Sequence, residues 1–426
     1  MTRYFDLKRL FLIGIVLFWG CGLPAGVGPV PPFFTVSISP MPISSPASFI
    51  STTKFYPNPQ VAADKNNNVF VVWQNYSTSS IFYTYSTNAG ATFTTLGSVP
   101  GSSGGSYPRI ATDGSGNAFI TWYVPSATPS IQFNYTIANV FQLALPLTVS
   151  STSVPFPSAG SPSPEDINVS NGTLALAWNQ CTTVTPSCTD NEVYATSFAV
   201  SVTTIPITQA SFNTAPNLIS GTGNLSTGYP KIKQYNNQSY IQYFQSGPSS
   251  TGLSLNINNT QTIPVFSGAP LLDSSLEIDT SGKVYSAWNP SYQPCPPPPQ
   301  PNTDIFFSFL KSGNTLFTMI GNGNLTNNGC SFGPALAIDS SQYVNLAFFS
   351  FPTGLKVNDL FLSRSTDGGN TFPNFYNLSS TPAGTSASYA PGFTVVGKTA
   401  YLVWDEAVAV GAFTTSQIYF EKLSLN

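Results

Sequence analysis

Two adjacent pairs of acidic residues, Glu165-Asp166 and Asp405-Glu406, are the only such pairs in a chain of 426 residues that contains no histidine. Two carboxyl groups flanking a glycosidic bond can serve as general acid and general base. Asp405, Glu406, Glu165 and Asp166 are therefore the candidates for catalysis. The competing reading is that they are solvated loop carboxylates, because adjacent residues at a strand end point to opposite faces. The missing histidines remove Ser-His-Asp and Cys-His nucleophile systems, histidine bases and histidine-ligated zinc or copper. The same oxygens form no calcium-loop signature, so no metal and no cofactor is expected. A second group of residues suits binding. Tyr107-Pro108-Arg109 and Tyr229-Pro230-Lys231 each set a tyrosine and a cation around a proline.

Composition limits what these residues can serve. Charged residues make up 7% of the chain and the formal net charge is −3, so there is no clustered basic footprint for nucleic acid. Hydrophobic residues at 41% can still build a core. The surface must then be polar and mostly uncharged.

The element that carries Arg109 is Tyr107 to Trp122, which reads as a hairpin: a short strand, an Asp113-Gly114-Ser115-Gly116-Asn117 turn, and an alternating strand that ends on tryptophan. Seven imperfect copies follow one another, closing on Trp73, Trp122, Trp178, Tyr243, Trp288, Phe348 and Trp404. The first copy is taken to open at Tyr56-Pro57. Intervals of 45 to 65 residues fit four short strands plus loops, which predicts an all-β chain forming a single β-propeller of seven four-stranded blades. An unclosed array of β-sandwich modules would need longer periods. The last copy has three strands, so Thr35 to Ser39 or Ser48 to Thr53 is expected to close the ring by completing the seventh blade.

Residues 1–21 combine Arg3, Lys8 and Arg9 with an apolar run too short to span a bilayer, and read as a signal peptide. Gly20-Cys21 resembles a bacterial lipobox, with Cys21 as the lipidation site. Residues 22–34 form a Gly/Pro-rich tether and residues 35–426 the propeller.

Ser365-Thr366-Asp367-Gly368-Gly369-Asn370-Thr371-Phe372, and more loosely Ser86 to Phe93 with Asn88 in the aspartate's place, resemble the Asp-box, or bacterial neuraminidase repeat, of sialidase-like propellers. The resemblance covers roughly Tyr56 to Leu423 and implies a six-bladed fold as the alternative to seven. It implies a structural, peripheral role for Asp367, Gly369 and Phe372. The family's activity does not carry over. It requires three arginines on the substrate carboxylate, and beyond the leader only Arg109 and Arg364 remain.

In such a strand order the loops before each first strand and after each closing aromatic share one face, opposite the Asp-box turns. Arg109, Tyr107, Tyr229 and Lys231 fall there as ligand-binding candidates. Cys181 and Cys188 lie in one loop of that face, and Cys295 and Cys330 in two others, so disulfides Cys181–Cys188 and Cys295–Cys330 are expected. The reading is a monomeric, exported cell-surface or periplasmic lipoprotein, otherwise secreted, held to the membrane by its lipid alone. It would act as a binding or scaffolding module for a glycan or surface protein. A glycoside hydrolase or lyase using the loop carboxylates, and a structural envelope protein, are the alternatives.

Overall fold

Each closing aromatic sits on the second strand of an antiparallel sheet, and the sheets repeat around an axis as seven blades. This is a computed structural model. It describes residues 32–426 apart from 45–46, 50–56, 95–96, 127–128, 151–162, 182–190, 201–205, 213–214, 221–225, 248–250, 269–272, 291–303, 328–330, 351–357, 380–390 and 411–412. The expectations for the signal segment, Cys21 and most of the tether, and for Cys188, Cys295 and Cys330, lie outside the described residues. Pro32–Asn426 forms one compact unit.

The first strands of blades 1 to 7 are Gln60–Ala63, Ser106–Thr112, Glu165–Ser170, Ser226–Tyr235, Asp273–Ile278, Ser331–Ile338 and Gly392–Val396. Each pairs with the second strand of its own blade, and the sheets run outward in chain order. Each first strand also contacts the first strands of both neighbouring blades, the seventh touching the first, so the ring is closed. Blades 3 and 4 share one parallel bridge, Asn191 to Ser226, which joins them into a single eight-stranded sheet. The only helix among the described residues is the single turn Gln209–Phe212.

The N-terminal strand does close the ring. Phe34–Pro42 runs antiparallel along Phe413–Leu425, pairing Phe34 with Leu425, and Ala47–Phe49 continues along the same strand. Closure demands close approach at the seam. A Cβ on Gly392 would meet the Pro59 carbonyl oxygen at 2.8 Å and a Val403 methyl at 2.6 Å, so only glycine lets blade 7 pack on blade 1.

The hydrophobic core is divided rather than central. Seven clusters of buried residues fill the seven inter-blade interfaces, for example Phe70, Val72 and Ile81 against Ile120 and Trp122 between blades 1 and 2. The second strands are thereby covered on both faces, and the axis is left to polar and small side chains.

Both turns that resemble an Asp-box, Ser365 to Phe372 and Ser86 to Phe93, act as pins between blades. In blade 6, Asp367 Oδ1 accepts from the Ser365 hydroxyl at 2.7 Å and the Thr371 amide at 2.9 Å, and Phe372 meets Phe307 of blade 5 edge-on at 4.9 Å. Burial raises the Asp367 carboxyl slightly, but these donors outweigh it and hold it down at about 2. In blade 1, Asn88 accepts from Ser86 and from the Thr92 amide in the same way, and Phe93 meets Phe420 of blade 7 at 4.9 Å.

The ladder corrects the opening of the first repeat. Gln60 pairs with Val72, just before Trp73, as Arg109 pairs with Thr121, just before Trp122. Asn58-Pro59, not Tyr56-Pro57, is therefore the counterpart of Tyr107-Pro108.

Candidate functional site

The first strands line an axial cavity of about 530 Å³. Because the ladders are equivalent, its wall can be read as rings. The upper ring consists of the residues paired opposite the one that precedes each closing aromatic. On blades 1 to 5 these are Gln60, Arg109, Asp166, Lys231 and Ser275; on blades 6 and 7 they are Ala335 and Gly392. Two residues further along, the lower ring has Asn168, Lys233 and Glu277 on blades 3 to 5, with Ala62, Ala111, Ala337 and Thr394 completing it. The charges thus lie on one side, over blades 2 to 5. Small side chains make the other side.

Most of the polar groups are spoken for. Asp166 Oδ2 accepts the Ile232 amide at 2.8 Å and Asn168 Oδ1 the Gln234 amide at 3.1 Å, which stitches blade 3 to blade 4. Lys233 pairs with Glu277 at 2.5 Å, and Lys231 approaches Asp273 at 3.7 Å. Burial pushes the Lys231 ammonium down, and the neighbouring Arg109 adds to the effect against Asp273 and Asp166. Arg109 differs. Its guanidinium makes no hydrogen bond or ion pair among the described residues, and its Nε is buried without a partner.

Glu165 lies beside this arginine. It is 1% exposed, and neither carboxylate oxygen receives a hydrogen bond of good geometry. Burial pushes its carboxyl up to about 8, with Arg109 and then the Ser163 hydroxyl pulling the other way. A neutral carboxylic acid at pH 7 does not cancel the arginine's charge.

Tyr107 and Tyr229 sit at matching bulges. In each, the tyrosine and the proline after it together oppose the closing aromatic, and the tyrosine takes a left-handed φ, 53° and 56°. That conformation is costly for a bulky residue, about 1–3 kcal/mol, and such strain is concentrated at functional positions. Burial raises the Tyr107 hydroxyl to about 12, with Tyr229 and Glu165 adding to it.

Arg109, Tyr107, Asp166 and Lys231 all line the cavity, whereas Glu165 and Tyr229 adjoin it through their electrostatic coupling to Arg109 and Tyr107. Asp405 and Glu406 are placed elsewhere. They lie inside the strand Thr399–Val410, paired with Ile418 and Gln417, and not in a loop after Trp404. Glu406 accepts the Trp404 indole N–H at 3.1 Å, and burial raises its carboxyl. Lys233, Glu277 and Asp273 are cavity residues that the motif reading did not single out. Period-two alternation from Lys231 would have reached Lys233. Cys181 ends its strand, is buried and is disulfide-bonded. Among the described residues no group of three or more acidic or cysteine side chains is placed to hold a metal ion.

No family model matches the chain, and no curated protein sequence matches it. Solved structures do. Polysaccharide lyase Uly1 superposes with a TM-score of 0.57 at 11% identity, over 92% of this chain and 100% of its own. A PL25 ulvan lyase solved with -[GlcA(1-4)Rha3S]- bound gives 0.52 at 9% identity, over 90% and 95%. Trypanosoma rangeli sialidase gives 0.44 at 9% identity, over 91% of this chain and 60% of its own.

Proposed function

We propose that the axial cavity binds an acidic glycan, with the Arg109 guanidinium taking a carboxylate or sulfate group and Lys231 reinforcing it. One observation carries this reading. Arg109 is a cavity cation with no counter-charge bonded to it among the described residues, whereas the cavity cations Lys231 and Lys233 each face a carboxylate. Leaving a guanidinium unpaired is unfavourable unless a ligand completes it, and a planar anion does so bidentately. Tyr107 offers an adjacent ring and hydroxyl. The two lyase folds that match nearly end to end support a carbohydrate ligand. One of them was solved with a glucuronate- and sulfate-bearing saccharide. In this reading the protein is an exported binding module tethered through a lipid on Cys21.

The test is titration calorimetry with a glucuronate-containing sulfated polysaccharide and with a neutral glucan of similar length. Saturable, salt-sensitive binding of the acidic polymer alone, lost in Arg109→Ala, supports the reading. Equal binding of both polymers, or an unaffected Arg109→Ala variant, overturns it.

A second reading is eliminative cleavage of the same glycan, favoured by the lowered Lys231 ammonium beside Arg109. Lys231 as free amine would take the proton α to the arginine-bound carboxylate. The bond to the leaving oxygen breaks as a carbon–carbon double bond forms, and the Tyr107 hydroxyl supplies the leaving oxygen's proton. Ultraviolet absorbance of the unsaturated uronate, absent in Lys231→Met, separates catalysis from binding alone.

A further inference from the structure

Nine Asn-x-Ser/Thr triplets with x other than proline occur in the chain, and Asn224 is the one outside the described residues. Such a triplet accepts an N-linked glycan when its asparagine stands free on the surface of an exported protein. The fold sorts the rest. Asn134 is fully buried, and its Nδ2 donates to the carbonyls of Pro100 and Leu143. Nδ2 of Asn324 and of Asn377 donates to Asp304 and Asp359. Asn168 belongs to the cavity wall and Asn75 holds its own turn through Oδ1.

Asn171, Asn237 and Asn258 remain. All three are exposed, and their side-chain amides make no hydrogen bond among the described residues. All three sit in tight turns at left-handed φ, 49°, 61° and 52°. Their positions follow from the sheet order. Asn171 and Asn237 are in the turns joining the first and second strands of blades 3 and 4, and Asn258 is in the turn joining the third and fourth strands of blade 4. In a four-stranded antiparallel blade these turns share one end. That end is opposite the one where Tyr107, Arg109 and Lys231 open the cavity.

The equivalent turns of blades 1, 2, 5 and 6 are built differently. Asp64, Asp113, Asp279 and Asp339 each staple the turn by accepting the amides two and four residues on. Blades 3 and 4 lack that carboxylate and present an unengaged asparagine.

We propose that Asn171, Asn237 and Asn258 carry N-linked glycans, which would place the sugar on two adjacent blades at the end away from the ligand cavity. The donor is a lipid-linked phosphoryl oligosaccharide supplied by an oligosaccharyltransferase. The asparagine Nδ2 attacks the sugar's anomeric carbon and a C–N bond forms. The C–O bond to phosphate breaks, the lipid phosphate leaves, and Nδ2 gives one proton to the transferase. The attached sugar adds hydrophilic bulk to a chain with 7% charged residues. The inference is independent of what the cavity binds.

The test is glycopeptide mass spectrometry on the exported protein purified from the organism that makes it, digested with chymotrypsin because lysine and arginine total 14. Glycan mass on Asn171, Asn237 and Asn258, with Asn134 unmodified, is the expected result. Three unmodified asparagines overturn the proposal. So does a triple Asn→Gln variant that folds with an unchanged circular dichroism spectrum yet keeps the parent's full glycan mass.

Discussion

Arg109 and Lys231 occupy the same ladder position two blades apart, each opposite the residue before its blade's closing aromatic, yet among the described residues only Lys231 of the two has a carboxylate within ion-pair distance. The two cations should therefore contribute unequally. Arg109→Lys removes the planar fork while keeping the charge, and should weaken acidic-glycan binding roughly tenfold or more. Lys231→Met, which loses a charge already half-satisfied by Asp273, should cost less and chiefly flatten the salt dependence. Calorimetry at two salt concentrations checks both. A larger loss in Lys231→Met than in Arg109→Ala would reverse the assignment.

Glu165 sets a pH dependence with a definite sign. Its carboxyl titrates near 4.5 in the unfolded chain and near 8 when folded, and Glu421, 1% exposed, is raised to about 8 by burial alone. Between those values the folded state holds protons that the unfolded state has released. The stability these two groups contribute is therefore fully present below about pH 4.5, is lost as pH rises to about 8 and changes no further above it. Tm measured from pH 4.5 to 9 should show this decline, and the Glu165→Gln, Glu421→Gln double variant should flatten it. Ligand affinity should fall through the same upper limit, because ionised Glu165 then competes for Arg109. Glu165→Gln alone should preserve binding above pH 8.

The seven blades were legible because every copy obeys local rules: turn residues at one offset, alternation, and an aromatic at the end of the second strand. The opening of the first copy was misplaced because Pro57 and Pro59 fit those local rules equally, and only the pairing of Gln60 with Val72 decides between them. Tyr107, Arg109, Tyr229 and Lys231 were legible from their place beside the prolines. That Lys233 would meet Glu277, and Lys231 Asp273, depends on which blade packs beside which. Neither strand's sequence records that. The same local rules end the strand at Trp404 and leave Asp405 and Glu406 beyond it. Instead the second strand of blade 7 runs on to Val410 because Phe413–Leu425 extends alongside it.

The two matching turns of blades 1 and 6 make the peripheral role of Asp367 testable. Asn88 fills the aspartate's place in blade 1 with equivalent acceptor bonds, so Asp367→Asn should cost under about 1 kcal/mol, whereas Asp367→Ala, which abandons the Ser365 and Thr371 donors, should cost about 1–2 kcal/mol. Phe372→Ala empties the contact with Phe307 and should cost about 3–5 kcal/mol. Urea unfolding gives the three values. Acidic-glycan affinity should be unchanged in all three, and a loss of affinity in Asp367→Asn would place the box in the binding machinery.

The second arginine of the described fold closes the ring rather than the cavity. Arg364 Nη2 pairs with Asp339, both side chains being almost fully buried, while Nη1 donates to the Asn426 carbonyl at 2.6 Å and the guanidinium lies over the rings of Tyr343 and Phe33. It thereby ties the inner turn of blade 6 to both strands that close blade 7, and the Asn426 amide completes the seam by donating to the Phe33 carbonyl at 2.7 Å. Removing one partner strands the other charge in the interior. Arg364→Met should destabilise the propeller by about 3–5 kcal/mol, while Arg364→Met with Asp339→Leu should recover much of that loss because no unpaired charge remains. Additive losses in the double variant, read by urea unfolding, would show that the clasp acts through separate contacts instead of as one ion pair.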